Sequence, residues 1–244
     1  MNNFNREQYD AAVSQWANAC SDFSTLQSLI PTNYVFNLSL DEINWLKEKN
    51  QYKDFCVDMG VYENQLVMIL CPLASDGSRR VVDDYPYSVL AELEGDLRLT
   101  ETQIYTVVKN AVLSKDLTKV DNDSDMFFPV ANKPLMEQDK AVDAIELWRN
   151  EGHNWFYFEC SEYEGARIFR RFYVPSENIS PARPGLNNII CSFGLKYSDI
   201  YQRMLVTMIF ISFYKESLTH TNASVETISN TYDWSQPCPP FCQI

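Results

Sequence analysis

The sequence predicts an α+β fold with antiparallel sheet, in which two similar helix–β-hairpin–helix halves follow an extra N-terminal helix. Three observations carry this. Strand-like runs come in adjacent pairs about a short turn, rather than alternating singly with helices, which argues against βαβ units. The triplets Tyr62-Glu63-Asn64 and Tyr163-Glu164-Gly165 sit at the centres of the two pairs. A helix-like stretch precedes each pair and another follows, and self-similarity of this kind bears on architecture before any single motif does. The pattern is that of an internal duplication; its alternative is two unrelated segments that share a generic helix-plus-hairpin design.

Asn5 caps a first helix over Arg6 to Ile30, with Tyr9, Val13, Trp16, Ala17 and Cys20 on one face and Pro31 at its end. Ser39-Leu40-Asp41-Glu42 is a capping box, in which the Ser hydroxyl accepts from a free amide and Glu42 reaches back. The helix it opens runs to Asn50, with Ile43 and Leu46 inward. Phe55 to Val61 and Leu66 to Pro72 form the first hairpin, and Asn64 tolerates the positive φ of its turn. Thr100, with Gln103 behind it, caps a helix carrying Ile104, Val107, Val108, Ala111 and Val112.

The second half repeats the order. Asp139 to Arg149 is a helix; Trp155 to Ser161 and Arg167 to Pro175 are a second hairpin. Phe55, Asp58, Tyr62 and Glu63 align with Phe156, Glu159, Tyr163 and Glu164. Ser198 caps a final helix with Ile200, Met204, Met208 and Ile211, although its β-branched content leaves strand as the alternative. The polar, acidic stretch Lys119 to Lys140, with Pro129 and Pro134, reads as the connection. The expected division is a first half at 1–120, a linker at 121–138, a second half at 139–218 and a polar Cys-containing tail at 219–244.

Composition narrows the function classes. The chain has 244 residues, enough for a core without staples, and a net charge of −13 that repels phosphate backbones and anionic lipid. Neither a nucleic-acid nor a membrane partner is expected; a protein partner recruited by charge would be basic. Seven scattered cysteines and a polar start lead to the expectation of a cytoplasmic protein with free thiols. Only 7 glycines are present, without a phosphate-cradling motif, and only two histidines, His153 and His220. Nucleotide folds built on Gly-rich loops and His-based zinc sites are therefore disfavoured, and no cofactor is expected.

The candidate sites are few. Asp121-Asn122-Asp123-Ser124-Asp125 begins like a calcium loop, but Met126 and Asn132 stand where the turn glycine and the bidentate glutamate belong. Cys238 and Cys242 are spaced to close a small disulfide or to supply half of a soft metal site. Asp58 with Glu159, and Glu63 with Glu164, would be acid/base dyads if the halves converged; Glu159 and Glu164 are the catalytic candidates. Arg167, Arg170 and Arg171 are a ligand-gripping cluster, or else cross-strand partners of the hairpin, Glu162 facing Arg167 and Glu159 facing Arg170. Trp155-Phe156-Tyr157-Phe158 reads as a central strand covered on both faces. His153 and Cys160, seven apart on a strand, face opposite ways.

No catalytic or ligand signature is specific. The expectation is a protein-interaction module: an adaptor, a chaperone-like binder or an immunity-type partner. The alternatives are a small-molecule binding or sensory domain with a pocket between the halves, and a carboxylate-based hydrolase.

Overall fold

The computed structural model describes residues 2–96, 99, 106–113, 119–127, 138–179, 185–215, 227–232, 235–240 and 242. In chain order the elements are β1 (Asn2–Phe4), α1 (Arg6–Ala19), α2 (Phe23–Leu29), β2 (Phe36–Leu38), α3 (Leu40–Lys49), β3 (Asp54–Tyr62), β4 (Gln65–Cys71), β5 (Tyr85–Val89), β6 (Thr106–Leu113) and β7 (Lys119–Phe127). Then follow α4 (Gln138–Tyr163), β8 (Arg171–Pro175), a 3-10 turn (Ser176–Ile179), β9 (Leu186–Ser198), β10 (Arg203–Lys215), β11 (Thr227–Tyr232) and β12 (Gln236–Cys238). The fold is α+β. A six-stranded sheet runs β1-β5-β4-β3-β8-β12, a four-stranded sheet runs β11-β10-β9-β2, and β6 pairs with β7; the pairings are antiparallel.

The two larger sheets share the main core. Phe55, Val57, Met59 and Val61 of β3 fall in one cluster with Phe193 and Leu195 of β9 and Val206, Met208 and Phe210 of β10. The intervening β3 residue Cys56 joins a second cluster with Phe4, Tyr9 and Ala12, where α1 covers the other face. Side chains alternate across a strand, so a strand covered on both faces is buried along its length, as β3 and β4 are; β4 is apolar from Leu66 to Cys71, and β3 is interrupted by Asp58. The outer face of the four-stranded sheet, Ile190, Ile209, Ile211 and Phe213, meets Ala141 and Ala144 of α4.

Both capping boxes form: Asn5 with Gln8, and Ser39 with Glu42. The first hairpin has the expected turn, with φ of 49° at Glu63 and 61° at Asn64. The first helix is shorter than expected. It stops at Ala19, because Asp22 turns its carboxylate to the amides of Ser24 and Thr25 and starts α2 afresh.

The second half departs from its reading. Trp155 to Ser161 is not a strand; it is the C-terminal part of the 26-residue α4. Ala141, Ala144, Trp148, Gly152, Trp155, Phe156 and Glu159 are all buried, at helical spacing from end to end, while Tyr157 and Phe158 face solvent. The expected second turn exists as the helix terminus: Glu164 and Gly165 have positive φ, and their amides donate to the carbonyls of Cys160 and Glu159. The residues that align with strand β3 are thus helical.

Two further expected helices are strands. Thr106 to Leu113 pairs with Lys119 to Phe127, which places β7 in the expected linker, and Arg203 to Lys215 pairs with β9 along its length. Both segments are rich in β-branched residues, whose χ1 stiffness suits a pleated sheet with a partner alongside. Thr100, Gln103 and Ile104 lie outside the described residues, as do 128–137 and 216–226. The division into halves is not one of separate sheets: β3 pairs with β8, β2 with β9, and β11 and β12 of the tail complete the sheets.

Candidate functional site

A cavity of about 350 Å³ lies between α4 and the β9–β10 hairpin. From α4 it takes Leu147, Glu151, Trp155, Phe158 and Glu159, a stripe that the 3.6-residue period keeps on one side of the helix. Leu195 of β9, Arg203 and Met204 of β10, and Arg167 from the loop after α4 complete the lining. The Trp155 indole N–H donates to the Met204 carbonyl at 3.1 Å, which fixes helix to strand at the wall. Leu147, Glu151 and Phe158 are exposed and mark the mouth.

The polar end is a carboxylate between two guanidiniums. Glu159 is 1% exposed. Arg203 Nη1 donates to its Oε1 at 3.2 Å, and Arg167 Nε lies 3.2 Å from its Oε2. Tyr163 stacks beneath the Arg167 guanidinium, 3.7 Å from ring centre to charge. Burial raises the Glu159 pKa above the ordinary carboxylate range, against the pull of Arg167 and then Arg203. Arg203 is lowered, first by burial and then by repulsion from Arg167.

A second ionic cluster sits under α1. Asp58, also 1% exposed, accepts from the Tyr9 hydroxyl, from Arg79 Nη2 at 2.6 Å and from both Nε and Nη2 of Arg171. Burial lowers Arg79 to about 10, helped by the neighbouring Arg171. For Arg171 burial acts in the same direction, but hydrogen bonding and charge from Asp58 outweigh it and its pKa is raised. Tyr9 stacks on Tyr85 and the Cys71 thiol contacts Asp58, while the Arg79 side chain stays partly exposed.

The residues singled out by sequence are distributed as follows. Asp58 and Glu159 do not form a dyad; each has its own pair of arginines. Glu63 and Glu164 are exposed turn residues. Arg167, Arg170 and Arg171 part company: Arg167 goes to Glu159, Arg171 to Asp58, and Arg170 donates to the carbonyls of Ile168 and Gly165. The expected cross-strand partners fail because the first strand of that hairpin is helix. For the same reason His153 and Cys160 share a helix side, with contacts to the carbonyls of Ile30 and Cys20. Cys238 and Cys242 are joined in a disulfide. Among the described residues no group of three or more His, Cys, Asp or Glu side chains is placed to hold a metal ion, and no helix is long and apolar enough to cross a membrane.

Sequence reasoning missed Arg79, Arg203 and the cavity wall. Arg203 carried a signal: a lone cation at the head of a long apolar run has a buried stem and needs a counter-charge. No protein-family model matches the chain, and neither a curated protein nor a solved structure matches it.

Proposed function

We propose that the protein is a binding module whose cavity between α4 and the β9–β10 hairpin takes a small, mainly apolar molecule. The supporting observation is the cavity itself. Its volume lies at the lower end of the range for ligand pockets, and it combines an apolar wall with a few convergent polar groups. Among the described residues the cavity is lined by side chains between Leu147 and Met204, all from the second half.

Interaction with a protein is the second reading. It rests on Tyr157, Phe158, Tyr163, Tyr197, Ile200 and Tyr201, large side chains left exposed on α4 and at the tip of the β9–β10 hairpin. One experiment separates the two. The uncharged fluorophore N-phenyl-1-naphthylamine should brighten with the wild-type chain and lose at least about tenfold in affinity with Met204→Trp, which fills the cavity. Ile200→Ser, at the 82%-exposed hairpin tip, should leave that affinity unchanged. Equal binding by wild type and Met204→Trp removes the cavity reading. The interaction reading gains if a partner captured by wild type is lost with Ile200→Ser and kept with Met204→Trp.

A further inference from the structure

Building on the reading of the cavity as a ligand site, we infer that its ligand is a monocarboxylate on an apolar body. The carboxylate is received by Arg203 and Arg167, and the body lies against Trp155, Leu195 and Met204. Among the described residues the inner end of the cavity holds two guanidiniums and one carboxylate, Glu159, while a second carboxylate, Glu151, stands exposed at the mouth. Arg203 and Arg167 are largely withdrawn from water, with side-chain exposures of 17% and 26%. Buried charge is costly unless paired and hydrogen-bonded.

The pairing is incomplete. Arg167 Nε and Glu159 Oε2 touch at 3.2 Å, yet neither atom is engaged in an aligned hydrogen bond. Glu159 thus divides itself between two cations and leaves an excess of one positive charge in an apolar enclosure. A ligand anion supplies the missing charge, and a planar carboxylate matches the guanidinium fork. A dianion would exceed the excess. Exposed Glu151 at the mouth repels an anion, which orients the ligand with its carboxylate inward and its apolar body along the Trp155, Leu195 and Met204 wall.

The test is calorimetric titration of the full chain with two sets of matched compounds: decanoate, decanol and decylamine, and 2-naphthoate, 2-naphthol and 2-naphthylamine. In at least one set the acid should bind about tenfold or more tighter than the alcohol, and the amine weakest. Arg203→Gln should bring the acid down to the alcohol's affinity; Arg203→Lys, which keeps the charge, should retain part of the difference. Alcohol and acid binding equally to wild type, with both lost in Met204→Trp, overturns the carboxylate inference and leaves the cavity reading standing. If no member of either set binds, or if Met204→Trp binds as wild type does, both fall.

Discussion

Glu159 is a carboxylate withdrawn from water between Arg167 and Arg203, and its titration reports that burial. Because its folded pKa is raised, the native state holds the Glu159 proton more tightly than the unfolded chain does. The stabilising contribution is fully present below the unfolded value, near 4.5, and is lost as pH rises through the folded one. Urea titrations of wild type and Glu159→Gln between about pH 4 and about pH 8 should show the stability of wild type, relative to the variant, falling as pH rises. A difference that stays flat over this range means that the carboxylate is not held as described. The thiols show the same rule: burial pushes Cys20 and Cys56 up to about 12 and Cys71 and Cys191 well above the usual value, so none offers a thiolate near neutrality. At this scale the sequence was legible in part. It marked Glu159 through its alignment with Asp58, and Arg167 as one of a cluster of arginines in an acidic chain. For Arg203 it offered only a cation at the head of an apolar run; the partner was not readable, because a contact between a helix and a strand distant in the chain leaves no local spacing to read.

At the scale of elements, caps and turns were readable and lengths were not. Asn5 and Ser39 act through bonds to residues three positions away, and Asn64 takes the positive φ of its turn; each does what its local chemistry implies. The second hairpin failed because four consecutive aromatics were taken as strand, whereas the burial of Trp148, Trp155, Phe156 and Glu159 follows the helical period. The end of α4 gives a prediction. Gly165 has a φ of +71°, and a Cβ there would lie 1.8 Å from the carbonyl oxygen of Cys20. Gly165→Ala must take on left-handed backbone strain of about 1–2 kcal/mol and also push the α1–α2 corner away, so it should destabilise by more than about 2 kcal/mol in urea unfolding. A cost below about 0.5 kcal/mol would show that helix end and corner do not meet so closely.

For the whole molecule, the α+β class and the antiparallel sheets followed from local pattern, but the pairing of halves did not. The β2–β9 and β3–β8 registers join residues far apart in the chain, and no window of sequence contains both partners. The consequence is testable. A fragment of residues 1–120 lacks β8, β9 and β10, which would leave Phe55, Val57 and Met59 without their facing cluster. It should show no cooperative unfolding transition by circular dichroism, whereas the full chain should unfold with one main transition. A fragment that melts cooperatively by itself would support residues 1–120 as a unit of their own.

The two ends of the six-stranded sheet are finished in a way that bears on how copies of the chain behave together. β1 and β12 have three residues each, and β12 contains Pro237, which has no N–H to offer outward; the Cys238–Cys242 loop follows at once. β2, at one end of the other sheet, is equally brief. A strand that short gives another chain little backbone to pair with, and proline removes part of what remains. The long β3, β4, β9 and β10 thereby have a strand on both sides over part of their length, β2 flanking Ile189–Cys191 of β9 and β11 flanking Phe210–Lys215 of β10, which limits the backbone open to cross-chain pairing.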